Sequence, residues 1–178
     1  MPINELDRRR AAGSQLLSGP VVITTGDEPL IVDLLPTATP GYHWIVESLS
    51  LIAHLVTRAP ADNRGFPPLT GLFLCPPATP IETLAQAQTS WNLNARPILL
   101  PMGQPGGDFA SIAVASAAPF PFALTLAAGF KTTVPLDWFV RAIVTCVQGT
   151  ATPGPGAGSI GRLYALAHQE EDDVCSTR

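Results

Sequence analysis

The side chains best suited to chemistry in this chain are three histidines, three cysteines and a thin scatter of carboxylates. His43, His54 and His168 are the candidate metal ligands and general bases. A metal site built on one element needs ligands at short, regular spacing, as in HxH or HExxH. Neither pattern occurs, and His43 and His54 would have to be brought together by the fold, with a carboxylate, to hold an ion. Cys75, Cys146 and Cys175 form no CxxC or Cys/His pattern. Cys75 and Cys146 lie in apolar runs and read as buried thiols, while Cys175 reads as a free thiol in the tail. No GxSxG elbow is present, and Cys75, between Leu74 and Pro76, has no evident activating neighbour. Asp33, Glu47, Glu82, Asp108 and Asp137 are scattered, and none forms an acid–base couple at useful spacing.

Two glycine-rich stretches, GQPGGD from Gly103 and GPGAGSIGR from Gly154, resemble phosphate loops only superficially. Both lack the Gly-Lys-Ser/Thr ending of a P-loop, and their prolines remove backbone donors that would cradle a phosphate. The expectation is therefore a non-enzymatic chain with no cofactor, no metal and no catalytic residue. Arg141 is the one charge in a strongly apolar run, WFVRAIVTC. An arginine there is expected to pair with Asp137 or Glu47 at an edge of the fold, or to contact another subunit.

The elements that would carry these residues follow from composition and periodicity. The chain has 178 residues, enough for one domain with a core. It holds 19 prolines and 15 glycines, with only 13% charged residues and 46% hydrophobic ones. Proline at that density forbids long helices and cuts the chain into strands and turns. The net charge of −4 offers no basic footprint for nucleic acid, and no apolar run is long enough to span a bilayer as a helix. The partners expected are thus neither nucleic acid nor membrane.

Residues 1–19 read as an N-terminal arm. Asn4 to Leu17 is the one good helix candidate, with Asn4 as cap and Gly19-Pro20 as terminator. Its Arg8-Arg9-Arg10 run and its Leu16 and Leu17 are candidate docking residues. Residues 20–170 read as a β-sandwich domain and 171–178 as an acidic, flexible tail. Within the domain, PVVITT and EPLIVDLL are β-branched runs separated by a turn at Gly26-Asp27-Glu28. YHWIVESLSLIAHL, from Tyr42, is read as a strand rather than a helix, because Leu49, Leu51, Ala53 and Leu55 alternate with Ser50, Ile52 and His54. Ile45 is placed on the same face as those leucines. GLFLC, PILL, FASIAVASA and PFPFALTL supply further short strands, with a helical turn possible from Ile81. Trp138 to Val147 and Ile160 to His168 then read as the two strands of one large β-hairpin around the loop containing Pro153 and Pro155. That loop, stiff and uncharged, is expected to meet a neighbouring subunit. The sum is about eight or nine strands, the number of a sandwich or barrel.

Three stretches carry a resemblance: GYHWIVESLSLIA from Gly41, RPILLPMGQ from Arg96, and VPLDWFVRAIVTCVQGT with PGPGAGSIGRLYAL after it. Together these resemble small structural proteins of tailed bacteriophages, over most of the chain from Gly41 to Leu166. The resemblance implies an all-β, jelly-roll-like antiparallel sandwich behind a short helical arm. It implies a virion protein, most concretely a capsid decoration or cement protein that binds the major capsid protein and itself. A homo-oligomer, with a trimer favoured, is part of that implication. A minor tail, neck or head-fibre component is the alternative, as is a glycan- or receptor-binding module using Tyr42, Phe66 or Trp91.

Overall fold

The computed structural model describes residues 13–26, 28–34, 38–56, 68–78, 98–100, 120–125, 129–146 and 156–172, together with residues 82 and 86. Ten strands make up its regular structure: β1 (Gln15–Ser18), β2 (Val22–Ile23), β3 (Leu30–Leu34), β4 (Tyr42–Leu55), β5 (Pro68–Cys75), β6 (Ile98–Leu100), β7 (Phe120–Thr125), β8 (Thr132–Val134), β9 (Phe139–Cys146) and β10 (Ile160–Glu171). All pairings are antiparallel.

One sheet runs β1-β10-β4-β7, with β2 continuing the β1 edge along β10 and β8 continuing the β7 edge along β4. The other runs β3-β9-β5-β6. Counting each broken edge as one strand leaves eight, in the spatial orders 1-8-3-6 and 2-7-4-5. That is jelly-roll connectivity, two interlocked Greek keys. The strand count and the all-β sandwich expected from the sequence are both present.

The core between the sheets is filled by alternate residues of both. β3 contributes Leu30, Val32 and Leu34; β9 contributes Val140, Ala142 and Val144; β4 and β10 answer with Leu49, Leu51, Leu55 and Leu163. Gly161 on β10 is part of the fit. A Cβ there would meet the Leu30 side chain at 3.0 Å and that of Val32 at 3.1 Å.

Three expectations are corrected. First, the strands from Trp138 and from Ile160 are not a hairpin. β9 pairs with β3 and β5, whereas β10 pairs with β4, β1 and β2 in the opposite sheet. Periodicity marks a strand but not its partner, and the intervening loop is long enough to cross the sandwich. Second, Gln15–Ser18, the end of the expected helix, is a strand, registered Leu16 to Leu166 and Ser18 to Tyr164. The hydrogen bonds of β10 outweigh local helix signals here. Gly13 and Ser14 are not helical either, while residues 4–12 of that helix lie outside the described residues, as does the FASIAVASA run.

Third, Ile45 does not share a face with Leu49. The pairing of β4 with β10 shifts between Leu166 and Ala167, leaving Glu47 as the extra residue of a β-bulge. The bulge reverses the alternation, so Trp44 and Val46 point inward before it and Leu49, Leu51 and Ala53 after it. β1 falls within residues 1–19, and β10 ends at Glu171.

The last residues of the long loop are fastened to their own domain. Thr24 Oγ1 donates to Gly156 O (2.9 Å) and accepts from the Ser159 amide (3.1 Å). The Gly158 amide donates to Thr24 O (2.9 Å), and the Val56 amide donates to Ser159 Oγ (2.8 Å). Thr24 and Ser159 are both buried, so the knot lies within the folded domain. Thr24→Val keeps the shape and removes the hydroxyl's bonds to Gly156 O and the Ser159 amide, which keep each other as partners at 3.2 Å. It is expected to cost about 0.5–1.5 kcal/mol, read by urea denaturation, whereas Thr24→Ser should keep most of the stability.

Candidate interaction surface

The two outer faces of the sandwich differ. On the β3-β9-β5 sheet, the outward residues Phe73, Cys75, Phe139 and Ile143 are buried as a second apolar cluster, with Ile31 packed against it. Thr145 on the same parity is buried too. β9 is therefore covered on both faces, which accounts for apolar residues on both of its parities. Arg141 sits on this outer face, opposite Asp33 in the β3–β9 register. Its Nε and one terminal nitrogen donate to the two Asp33 carboxylate oxygens at 2.7 and 2.8 Å, a bidentate pair. The guanidinium also lies 5.1 Å from the Phe139 ring centre. The hydrogen bonds from Arg141 to Asp33 hold the guanidinium above its ordinary pKa. The expected partners Asp137 and Glu47 are replaced by Asp33, because β3 is the neighbour in register. Asp137 instead takes a left-handed conformation (φ 66°) in the turn before β9.

The outer face of the β1-β10-β4-β7 sheet is open. Its outward residues form cross-strand rows fixed by the register. Leu16 of β1 stands beside Leu166 of β10, which stands beside Ser48 of β4. The next row is Ser18, Tyr164, Ser50 and Thr125, and the third is Arg162, Ile52 and Ala123. The fourth brings Ile23 and His54 to either side of Ile160. Leu16 is 72% exposed, Ile23 58%, Ile52 52% and Leu166 38%, so large apolar side chains stand in solvent on a single face. Arg162 is the one formal charge among the described residues of these rows. It is tied down by hydrogen bonds to Gly19 O (2.8 Å) and Ser18 Oγ (2.9 Å) and lies 5.5 Å from the Tyr164 ring centre.

Beyond the bulge the same face turns polar. His168 is buried, with Nε2 3.0 Å from Glu170 Oε1 and Nδ1 3.1 Å from Glu47 Oε1. The Nδ1 contact falls outside hydrogen-bonding geometry, so proximity rather than a formed bond describes it. Glu47 also accepts from Ser14 Oγ (2.7 Å) and lies 3.7 Å from Lys131 Nζ. This cluster anchors the start of β1. With the imidazole side chain only 3% exposed, it offers no access to a substrate.

His43 and His54 are carried apart by β4, roughly 35 Å at the rise of a strand, and His43 contacts Asp172 at 2.8 Å. No group of three or more His, Cys, Asp or Glu residues that could hold a metal occurs among the described residues. No helix there is long and apolar enough to cross a membrane.

Of the candidate docking residues, Leu16 lies on the open face and Leu17 packs inward against the core. Arg141 lies on the opposite outer face of the sandwich. Arg8, Arg9, Arg10, Pro153 and Pro155 lie outside the described residues, as do Phe66 and Trp91. The sequence reading passed over Ile23, Ile52, Tyr164 and Leu166. Their signal was present: an isoleucine among Ser48, Ser50 and His54, and a leucine and a tyrosine on the parity opposite Leu163 and Ala165.

No family model matches the chain, and no curated protein matches it in sequence. A solved structure of turnip yellow mosaic virus at 100 K is similar over 89% of this chain and 93% of that one, at 16% identity and a TM-score of 0.37. A likeness at that level contributes no argument. The jelly-roll assignment rests on strand order, and function must be read from the surface.

Proposed function

We propose that this protein is a non-enzymatic structural component of a virus particle. In its most specific form it is a decoration or cement protein of a tailed phage, bound to the capsid lattice and to copies of itself. The observation that carries the reading is the contrast between the two outer faces: one buried under its own chain, the other open and nearly uncharged. A jelly roll by itself hosts many functions, so the surface bears the argument and not the fold. An exposed sheet face bearing several large apolar residues is a contact surface. The phage-like segments around Gly41, Arg96 and Val134 support the virion setting.

The test is an electron-microscopic comparison of particles with and without the gene, combined with co-sedimentation of the purified protein with the deficient particles. Fragile or bare particles that rebind the protein are expected. Intact, undecorated particles that ignore it would sink the reading, and selective capture on a glycan array would replace it with the receptor-binding alternative.

A further inference from the structure

The open face has a relief that bears on what covers it. Its large residues lie on one side: Leu166, Tyr164 and Ile160 along β10, with Leu16 beside them on β1. In the Leu166 and Tyr164 rows the neighbouring strands carry small residues, Ser48 and Ser50 on β4 with Thr125 on β7, while Ile52 and His54 of β4 project in the two rows beyond. In those first two rows the face is a ridge next to a shelf. A two-fold axis running along the strands, between β10 and β4, turns a second copy so that its ridge lies over the first copy's shelf. Rows are preserved by that rotation. Leu166 of each copy then covers Ser48 of the other, and Tyr164 covers Ser50. Ile52 meets the aliphatic stem of Arg162, whose charged end is already bonded to Ser18 and Gly19.

We infer that the occupant of this face is a second copy of the chain, packed face to face about that axis. Three features favour a copy over an unrelated partner. Ridge and shelf are complementary to each other, as an isologous interface requires. The rows carry no charge left free to repel its symmetry mate or to select an oppositely charged protein. The area is also of the right order. Four strands about 4.8 Å apart and seven residues at about 3.4 Å give a flat footprint of roughly 450 Å², and the accessible surface of side chains standing on it is larger; stable interfaces bury about 800 Å² per partner. Aligned sheets also pack at small angles to each other, as this axis demands. The inference deepens the assembly role proposed above and names its partner.

The experiment is sedimentation equilibrium of the full chain at about 100 µM, well above a micromolar Kd, with Leu166→Lys, Ile52→Lys and, off this face, the exposed Leu136→Lys as control. Expected is a particle of twice the 18.7 kDa chain mass. Either lysine on this face should weaken the dimer by 10-fold or more, and the control should leave it unchanged. Thermal melts of the variants should stay two-state, since the replaced side chains are solvent-exposed. A monomeric wild type, a trimer, or a dimer indifferent to both Leu166→Lys and Ile52→Lys would overturn the inference. A monomer that still binds particles would leave the virion reading intact, whereas a ridge-dependent dimer that never binds particles would remove that reading alone.

Discussion

Asp33→Ala is expected to lower stability by about 2–3 kcal/mol, the upper half of what single substitutions do. The substitution leaves the Arg141 guanidinium on a sheet face otherwise occupied by Phe73, Phe139 and Ile143, with its bidentate acceptor gone. Breaking one partner of a fully buried pair costs about 3–5 kcal/mol. The cost here falls below that range because the pair is only part-buried, with the Arg141 side chain 13% and the Asp33 side chain 27% exposed. Arg141→Leu should cost less, since the remaining carboxylate has some access to water. The double variant Asp33→Val with Arg141→Leu should recover to within about 1 kcal/mol of wild type, because neither charge then has to be desolvated. Urea denaturation of the four proteins closes the cycle. A double variant as unstable as Asp33→Ala would show that the pair contributes more than mutual neutralisation.

Gly19→Ala is expected to be as damaging, at about 3 kcal/mol or more, although it adds one methyl group. A Cβ at position 19 would lie 2.2 Å from the Asp33 carbonyl oxygen and 3.2 Å from its carbon. Both obstacles are backbone, so no side chain can turn aside. The Gly19 amide meanwhile donates to Leu163 O at 2.9 Å, and its carbonyl accepts from Arg162. The junction of β1 and β2 is therefore held from both sides and has nowhere to move. Gly13→Ala, with nothing within 4 Å of the added methyl, should be neutral. Differential scanning calorimetry of the pair checks the contrast, and equal melting temperatures would contradict it.

These effects show which parts of the structure local sequence carries. The strand nature of Tyr42–Leu55 was legible because serines alternate with leucines over the half after the bulge. The bulge was not, because nothing local distinguishes Glu47 from an ordinary outward residue. Only the pairing with β10 makes it the extra one. β9 was legible as a core strand from apolar residues on both parities. Its neighbours were invisible, so a long loop between two apolar strands was taken for a hairpin turn. Asp33 escaped notice as the partner of Arg141 for the same reason, since the two lie on strands far apart in the sequence. The interaction surface was half legible. Leu16 stood out as a candidate, but it acquires neighbours only when the register sets Leu166 beside it.

The pairing of β1 with β10, Gln15 against Ala167, joins the two ends of the chain in one sheet. A nascent chain that has not yet exposed β10 cannot close that sheet. Until Ile160 and the residues after it have left the ribosome, β4 lacks its longest partner and β1 has none within the described sheet. Contacts so remote in sequence place the protein among slow folders, on the order of milliseconds to seconds. Truncation before Ile160 is expected to leave a chain without cooperative thermal unfolding, as followed by circular dichroism, and a truncated chain that melts sharply would refute this. During that interval the long, apolar β4 presents an unpaired edge to every other nascent copy. The order in which this fold is completed thus leaves a pairing edge open to aggregation until β10 arrives.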